Sequence, residues 1–240
     1  MAGFRIKWVF GDLGISEGER AAYFGDAERR WANVISGWPD GPDGAPALTA
    51  LTIEVKMAEL NPGGPLLDGS CKLAHVDLLE WLPPYAGAAA FIPTRAQMSI
   101  DANQFHGALQ SRPFIIRDLI AHEIGHALGF GKIWSHRKLI TASSDGKTVF
   151  SGDNAKAEHA SWGGGSNLFI EDMGDSGTAL DHWKEDPRDR TERGRKMFYD
   201  LMSGTMGSGD NRLSRLTVAA MSDLGYKVNM NAAEPYRLHD

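Results

Sequence analysis

Hydrophobic residues along the chain follow two rhythms. In FRIKWVF, Phe4, Ile6, Trp8 and Phe10 alternate with Arg5, Lys7 and Val9, the period of a strand with one buried face. Ser16 followed by Glu19 makes a helix capping box, and Phe24, Ala27, Trp31, Val34 and Ile35 then recur at helical spacing until Gly37, so that Trp31 and its neighbours read as core. LTIEVKM returns to period two, with Leu51, Ile53, Val55 and Met57 on one face and Glu54 and Lys56 on the other. Shorter strands are expected around 72–76 and 95–100, separated by the turn LPPYAG. Pro113 then opens PFIIRDLIAHEIGHALG, a helix that Gly129 ends.

Beyond Gly131 the periodicity fades. SSDGK, FSGDN, SWGGGSN and EDMGDSG are turn chemistry, and only SRLTVAAMSDLG, capped by Ser214 and ended by Gly225, promises another helix. The pattern therefore divides the chain into an ordered N-terminal lobe, 1–129, and an irregular C-terminal lobe, 130–240, carrying one helix. No internal repeat interrupts this plan.

Composition narrows the function. With 240 residues the chain can bury a sizeable core. Its formal net charge is −6 and its basic residues form no stripe, which argues against nucleic acid as a partner. No apolar run approaches the roughly 20 residues of a membrane span, and MAGFRIKWVF lacks the apolar core of a signal peptide. The single cysteine, Cys71, cannot form an intrachain disulfide and reads as a small buried hydrophobe. WPDGPDGAPA is aspartate-rich, but it lacks the alternating ligands and closing glutamate of a calcium loop.

The candidate chemistry lies in IAHEIGHALGFGK. On a helix His122 and His126 project from one face one turn apart, within reach of a single zinc ion, and Glu123 beside them can take a proton from water. A catalytic zinc takes three protein ligands. In the metzincin form of the motif, HExxHxxGxxH, the third histidine would stand where this chain has Lys132. The remaining candidates are His75, His106, His136, His159, His182 and His239, with Glu158 or Glu171 if a carboxylate completes the site. His182 has context in its favour: it sits in GTALDHWKED, and YDLMSGTM follows.

HEIGHALGFG, a long insertion containing FSGDNA, then DHWKED, DLMSG and LSRLTVAAMSDLGYKV resemble the successive motifs of leishmanolysin-like metzincins, over about 113–228. That group inserts a segment between its second and third zinc histidines. The resemblance implies a zincin-like α+β catalytic domain spanning 1–240. Its N-terminal subdomain would hold a mixed sheet with a backing helix and an active-site helix. It implies Zn2+ as cofactor, His122, His126 and His182 as its ligands, Glu123 as general base and Met202 as the methionine of the Met-turn. It further implies a secreted, monomeric endopeptidase acting on protein or peptide substrates. Members of this group from protozoa and animals are rich in disulfides and carry a propeptide cysteine. With one cysteine, this chain resembles a compact bacterial-type member. Two other readings compete: a zinc-stabilised binding module without catalysis, and a gluzincin-type peptidase with Glu158 or Glu171 as third ligand. Glu123 speaks against the first, since a closed structural site has no use for a base; DLMSG after His182 speaks against the second.

Overall fold

The N-terminal alternation becomes β1 (Ile6–Phe10), and the capping box is complete at the start of α1 (Glu17–Val34), where Ser16 and Glu19 satisfy each other's backbone. The computed structural model describes residues 4–62, 72–172, 179–184, 197, 199–204 and 211–236. Cys71 and His239 lie outside these residues. α1 is the crossover that lets β1 run parallel to β3 (Leu51–Ala58), with Ile6 opposite Leu51 and Trp8 opposite Ile53. β2 (Ile35–Gly37) follows α1 directly, because beyond Val34 the chain pairs with a distant strand instead of continuing the helix.

β4 (Ala74–Trp81) and β5 (Pro93–Asp101) complete a four-stranded mixed sheet in the order β1-β3-β5-β4. β5 is parallel to β3 and β4 antiparallel to β5, which leaves β4 at an edge. β4 runs five residues beyond the stretch expected from the sequence. Its alternation is lost because Asp77, Leu79, Glu80 and Trp81 are exposed and the register shifts near Glu80.

α2 (Phe105–Ser111), which the sequence pattern did not announce, precedes α3 (Pro113–Ala127), the helix bearing the HExxH motif. Two contacts fix α1 to its neighbours: Phe24 meets Trp8 and Phe10 of β1 edge-on at 4.9–5.2 Å, and the Trp31 indole donates to the carbonyl of Ala121 at 2.7 Å. α1 thereby grips α3 one residue before His122.

The C-terminal lobe corrects the expectation of one helix. Among its described residues it holds a three-stranded antiparallel sheet of β6 (Ile140–Ala142), β7 (Thr148–Phe150) and β8 (Leu168–Phe169), and two α-helices, α4 (Asp153–Ser161) and α5 (Arg215–Asp223). α4 escaped the pattern because Ala155 is its only buried side chain. Its first-turn N–H groups at Asn154 and Ala155 are capped by Asp223, 68–69 residues away. α5 starts and stops as expected, with Ser214 accepting from Thr217 N and Gly225 in the left-handed region at φ 94°. β9 (Lys227–Val228) then pairs antiparallel with β2, and a continuous hydrophobic core draws on both lobes.

A part-buried ionic network reinforces that union. Arg30 of α1 donates to Glu234 (2.7 and 2.8 Å), to Asp118 of α3 (2.8 Å) and to the carbonyl of Asn211 (2.6 Å). Asp118 also accepts from the backbone and side chain of Asn211 at 3.0 and 2.9 Å. No helix among the described residues is long and apolar enough to cross a membrane.

Candidate metal centre

α3 carries His122, Glu123 and His126 into the interior, where all three are buried. Gly125 between the two histidines has a packing reason: a Cβ there would lie 2.5 Å from Met202 Sδ and 2.9 Å from the Trp31 ring. Glycine thus admits the Met202 side chain to the helix surface.

After α3 the chain turns at Gly129 and Gly131, with φ of 100° and 74°. A Cβ on Gly131 would be 2.4 Å from the carbonyl oxygen of Asp181, and Lys132 Nζ pairs with Asp181 Oδ2 at 2.6 Å. The two ends of the inserted segment therefore touch. Lys132, which holds the position of a histidine in the short-spacer motif, ties the helix end to the residue before His182. Trp183, fully buried, fixes the other side of that histidine. Its ring packs with Phe130, Trp134 and Phe150 at centroid distances of 5.2–5.4 Å, its indole donates to Thr217 Oγ1 at 2.9 Å, and its backbone N–H donates to the Met202 carbonyl at 3.1 Å.

The result is a cluster of three imidazoles. Nε2 atoms of His122, His126 and His182 lie 3.0–3.1 Å from one another. His122 Nδ1 faces the Leu201 carbonyl at 2.6 Å and His126 Nδ1 faces the Phe130 carbonyl at 3.0 Å. A carbonyl only accepts, so both Nδ1 atoms carry the proton and both Nε2 atoms present lone pairs. Three such nitrogens cannot satisfy one another, since even a proton on His182 Nε2 could serve one neighbour only. One cation within about 2.0–2.1 Å of each resolves the conflict, and the all-imidazole donor set suits zinc. Burial, followed by the charge of neighbouring groups, pushes His122 down to about 3 and His126 well below its ordinary value, which keeps the donors neutral.

Glu123 lies beside the cluster, 4% exposed, and its Oε2 is buried without a partner among the described residues. Burial pushes its carboxyl up to about 8, while Lys132 and Lys72 pull the other way. The other candidates are held elsewhere. Glu158 on α4 binds Arg215 and the Trp162 indole, His75 pairs with Asp77, His106 lies edge-on against Phe105, and the ring of His159 packs over Gly164. Glu171 pairs its backbone with His182 and Leu180, and its side chain is not among the groups gathered around the three histidines.

Residues 89–237, well over half of the chain, match the family model of leishmanolysin, Peptidase_M8. The chain belongs to the leishmanolysin family. That family consists of zinc metallopeptidases, so membership makes the chain a metallopeptidase-type hydrolase, and the buried cluster of His122, His126 and His182 is a group that could hold a metal ion. No curated protein matches the chain. The leishmanolysin match begins at Ala89, so β1, α1, β3 and β4 all lie outside it.

Asp200 is a functional candidate that the sequence reading missed. Its buried carboxylate accepts from Met202 N at 2.8 Å and Thr217 Oγ1 at 2.7 Å, and from the Ser214 hydroxyl. Burial pushes it up to about 6 against these three donors. Asp200, Leu201 and Met202 thus join three things: the N-terminus of α5, His122 through the Leu201 carbonyl, and Trp183 through the Met202 carbonyl. Nothing local in YDLMSG announces this, since the partners Thr217 and Ser214 lie 14–17 residues onward.

Proposed function

We propose that the chain is a zinc-dependent endopeptidase in which His122, His126 and His182 hold the metal and Glu123 is the general base. The observation that carries this reading is the convergence of three buried Nε2 atoms at 3.0–3.1 Å, next to a buried carboxylate oxygen with no partner among the described residues. A structural zinc site closes with a fourth protein ligand, whereas here a base stands beside three. Zinc, when bound, supplies Lewis acidity that polarises a scissile carbonyl and acidifies water.

The chain's own residues do the rest. Glu123 takes the proton of the attacking water and passes it to the leaving amine, a role open to a buried carboxylate oxygen that no described protein group engages. Leu201 and Phe130 carbonyls hold the His122 and His126 rings in the tautomer that presents Nε2. Asp200 positions two ligands by anchoring the turn that bears the Leu201 and Met202 carbonyls, and Met202 packs beneath them as the Met-turn methionine. A peptide substrate extends along the outer edge of β4, which no strand among the described residues pairs, and is read there main chain first.

Metal content decides the ligand assignment. His182→Ala should purify with little zinc, and Glu158→Ala and Glu171→Ala with the wild-type amount; the opposite pattern would show a gluzincin-type site.

A further inference from the structure

A cleft of about 260 Å³ opens between β4 and the turn that follows α3, walled by Val76, Leu78, Trp81, Phe91, Ile133 and His136. It adjoins the metal centre through Lys132, which lines its rim and whose partner Asp181 precedes His182. The walls come from three segments that are fastened together. Arg137 donates to the carbonyls of Ala88 and Ala90, each at 3.0 Å, so the turn after α3 is tied to the β4–β5 connection. At the base of that connection, Phe91 N–H donates to the Leu82 carbonyl at 3.0 Å and Leu82 N–H to the Ile92 carbonyl at 2.9 Å. Phe91 itself sits at φ 63°, a left-handed conformation that is costly for a bulky residue and concentrates at functional positions. Its ring stacks on His136 at 5.2 Å, and Trp81 stacks on the same imidazole at 6.2 Å, although the Trp81 side chain is 48% exposed.

We propose that this cleft is a specificity pocket of the peptidase site and that it takes one aromatic side chain of an extended substrate. The inference rests on the peptidase reading above. Size supports it, because ligand sites for whole small molecules run to roughly 300–1,000 Å³ and this cleft holds a single large side chain. Wall chemistry supports it too: indole, phenyl and imidazole faces favour another ring in offset or edge-on packing. Lys132 is paired with Asp181, and Asp77 and His75 Nε2 share a hydrogen bond of 3.0 Å on the exposed side of the cleft, so the rings of Trp81, Phe91 and His136 are what the wall offers a side chain entering it. Position supports it as well, since a strand paired to the outer edge of β4 directs alternate side chains to one face, and the cleft takes one of them.

The test is the cleavage profile of the zinc-loaded protein on peptide libraries varied one position at a time. Aromatic residues should outrun alanine at one position by roughly tenfold or more. Trp81→Ala and His136→Ala, whose exposed side chains are not core, should collapse that ratio; Tyr85→Ala, 81% exposed and outside the cleft, should preserve it. An acidic or basic preference at that position, or an aromatic preference that survives both variants, overturns the proposal. A zinc-loaded protein that cleaves nothing overturns the peptidase reading instead. The pocket is then read without turnover, by calorimetric binding of phenylalanine and alanine peptides to Glu123→Gln with and without Trp81→Ala. Equal affinities in the two backgrounds overturn the pocket on their own.

Discussion

Asp118, His122 and His126 follow one another at four-residue intervals along one face of α3, yet they sit in two buried polar clusters of opposite kind. Around Asp118 the protein supplies both signs and both roles: Arg30 donates, Asn211 donates, and Glu234 takes up the rest of the guanidinium. At His122 and His126 the protein supplies partners only on the outer side, where the Leu201 and Phe130 carbonyls accept from Nδ1. The inner nitrogens of these rings face each other and His182 as acceptors. A cluster closed by its own residues needs nothing further and holds the lobes together. A cluster left with converging acceptors is built for a cation. The helix face teaches the distinction because Asp118, His122 and His126 are all buried on one helix, and what differs is how their polar atoms are satisfied.

That contrast breaks most severely at Asp118. Asp118→Ala leaves Arg30 with Glu234 alone and strips the Asn211 backbone and side-chain N–H groups of their acceptor, and should cost about 2–3 kcal/mol, read as a fall in the denaturation midpoint, with the zinc affinity of the folded protein unchanged. A loss of zinc without loss of stability would erase the distinction between the two clusters. Thr217→Val acts on the other side. It strips the Trp183 indole of its acceptor and Asp200 of a donor, and should weaken zinc binding by about tenfold in chelator competition while cobalt-substituted protein shows a shifted absorption spectrum. Thr217→Ser, which keeps the hydroxyl, should restore both.

The smallest effect is a pH slope in metal-free protein. Glu123 has a folded pKa of about 8 against an ordinary 4.5, so between these values the native state holds a proton that the unfolded chain releases, and stability falls as pH rises. His122, at about 3 against 6.5, and His126, well below its ordinary value, have the opposite sign and are spent only about a unit above pH 6.5. The difference between wild type and Glu123→Gln cancels the histidines, and from pH 6.5 to 8 it should show the wild type losing roughly 1–2 kcal/mol more than the variant. Equal pH slopes in the two metal-free proteins would show that the carboxyl is not held in a dry site.

Sequence and structure agree best where order is local. The alternation of β1 and β3, the capping box of α1 and the span of α3 are all short-range patterns, and each appears where the residues place it. His122, Glu123 and His126 were legible for the same reason. His182 was legible only through a family pattern, because what brings it to the others is long-range: the Gly131–Asp181 contact, the Lys132–Asp181 pair and the aromatic packing of Trp183 across 56 positions from His126. α4 and the length of β4 stayed hidden because a distant carboxylate caps the one and an exposed edge blurs the other. Asp200 was invisible because its three donors come from a turn and a helix that no local pattern links.

Casein cleavage by Glu123→Gln, measured together with its zinc content, goes straight to the role assigned to the buried carboxylate. Variant and wild type should each hold one zinc per chain, and the turnover of the variant should fall at least a hundredfold, in line with the roughly 10²–10⁴ that a general base contributes. Undiminished cleavage by zinc-loaded Glu123→Gln would contradict the mechanism.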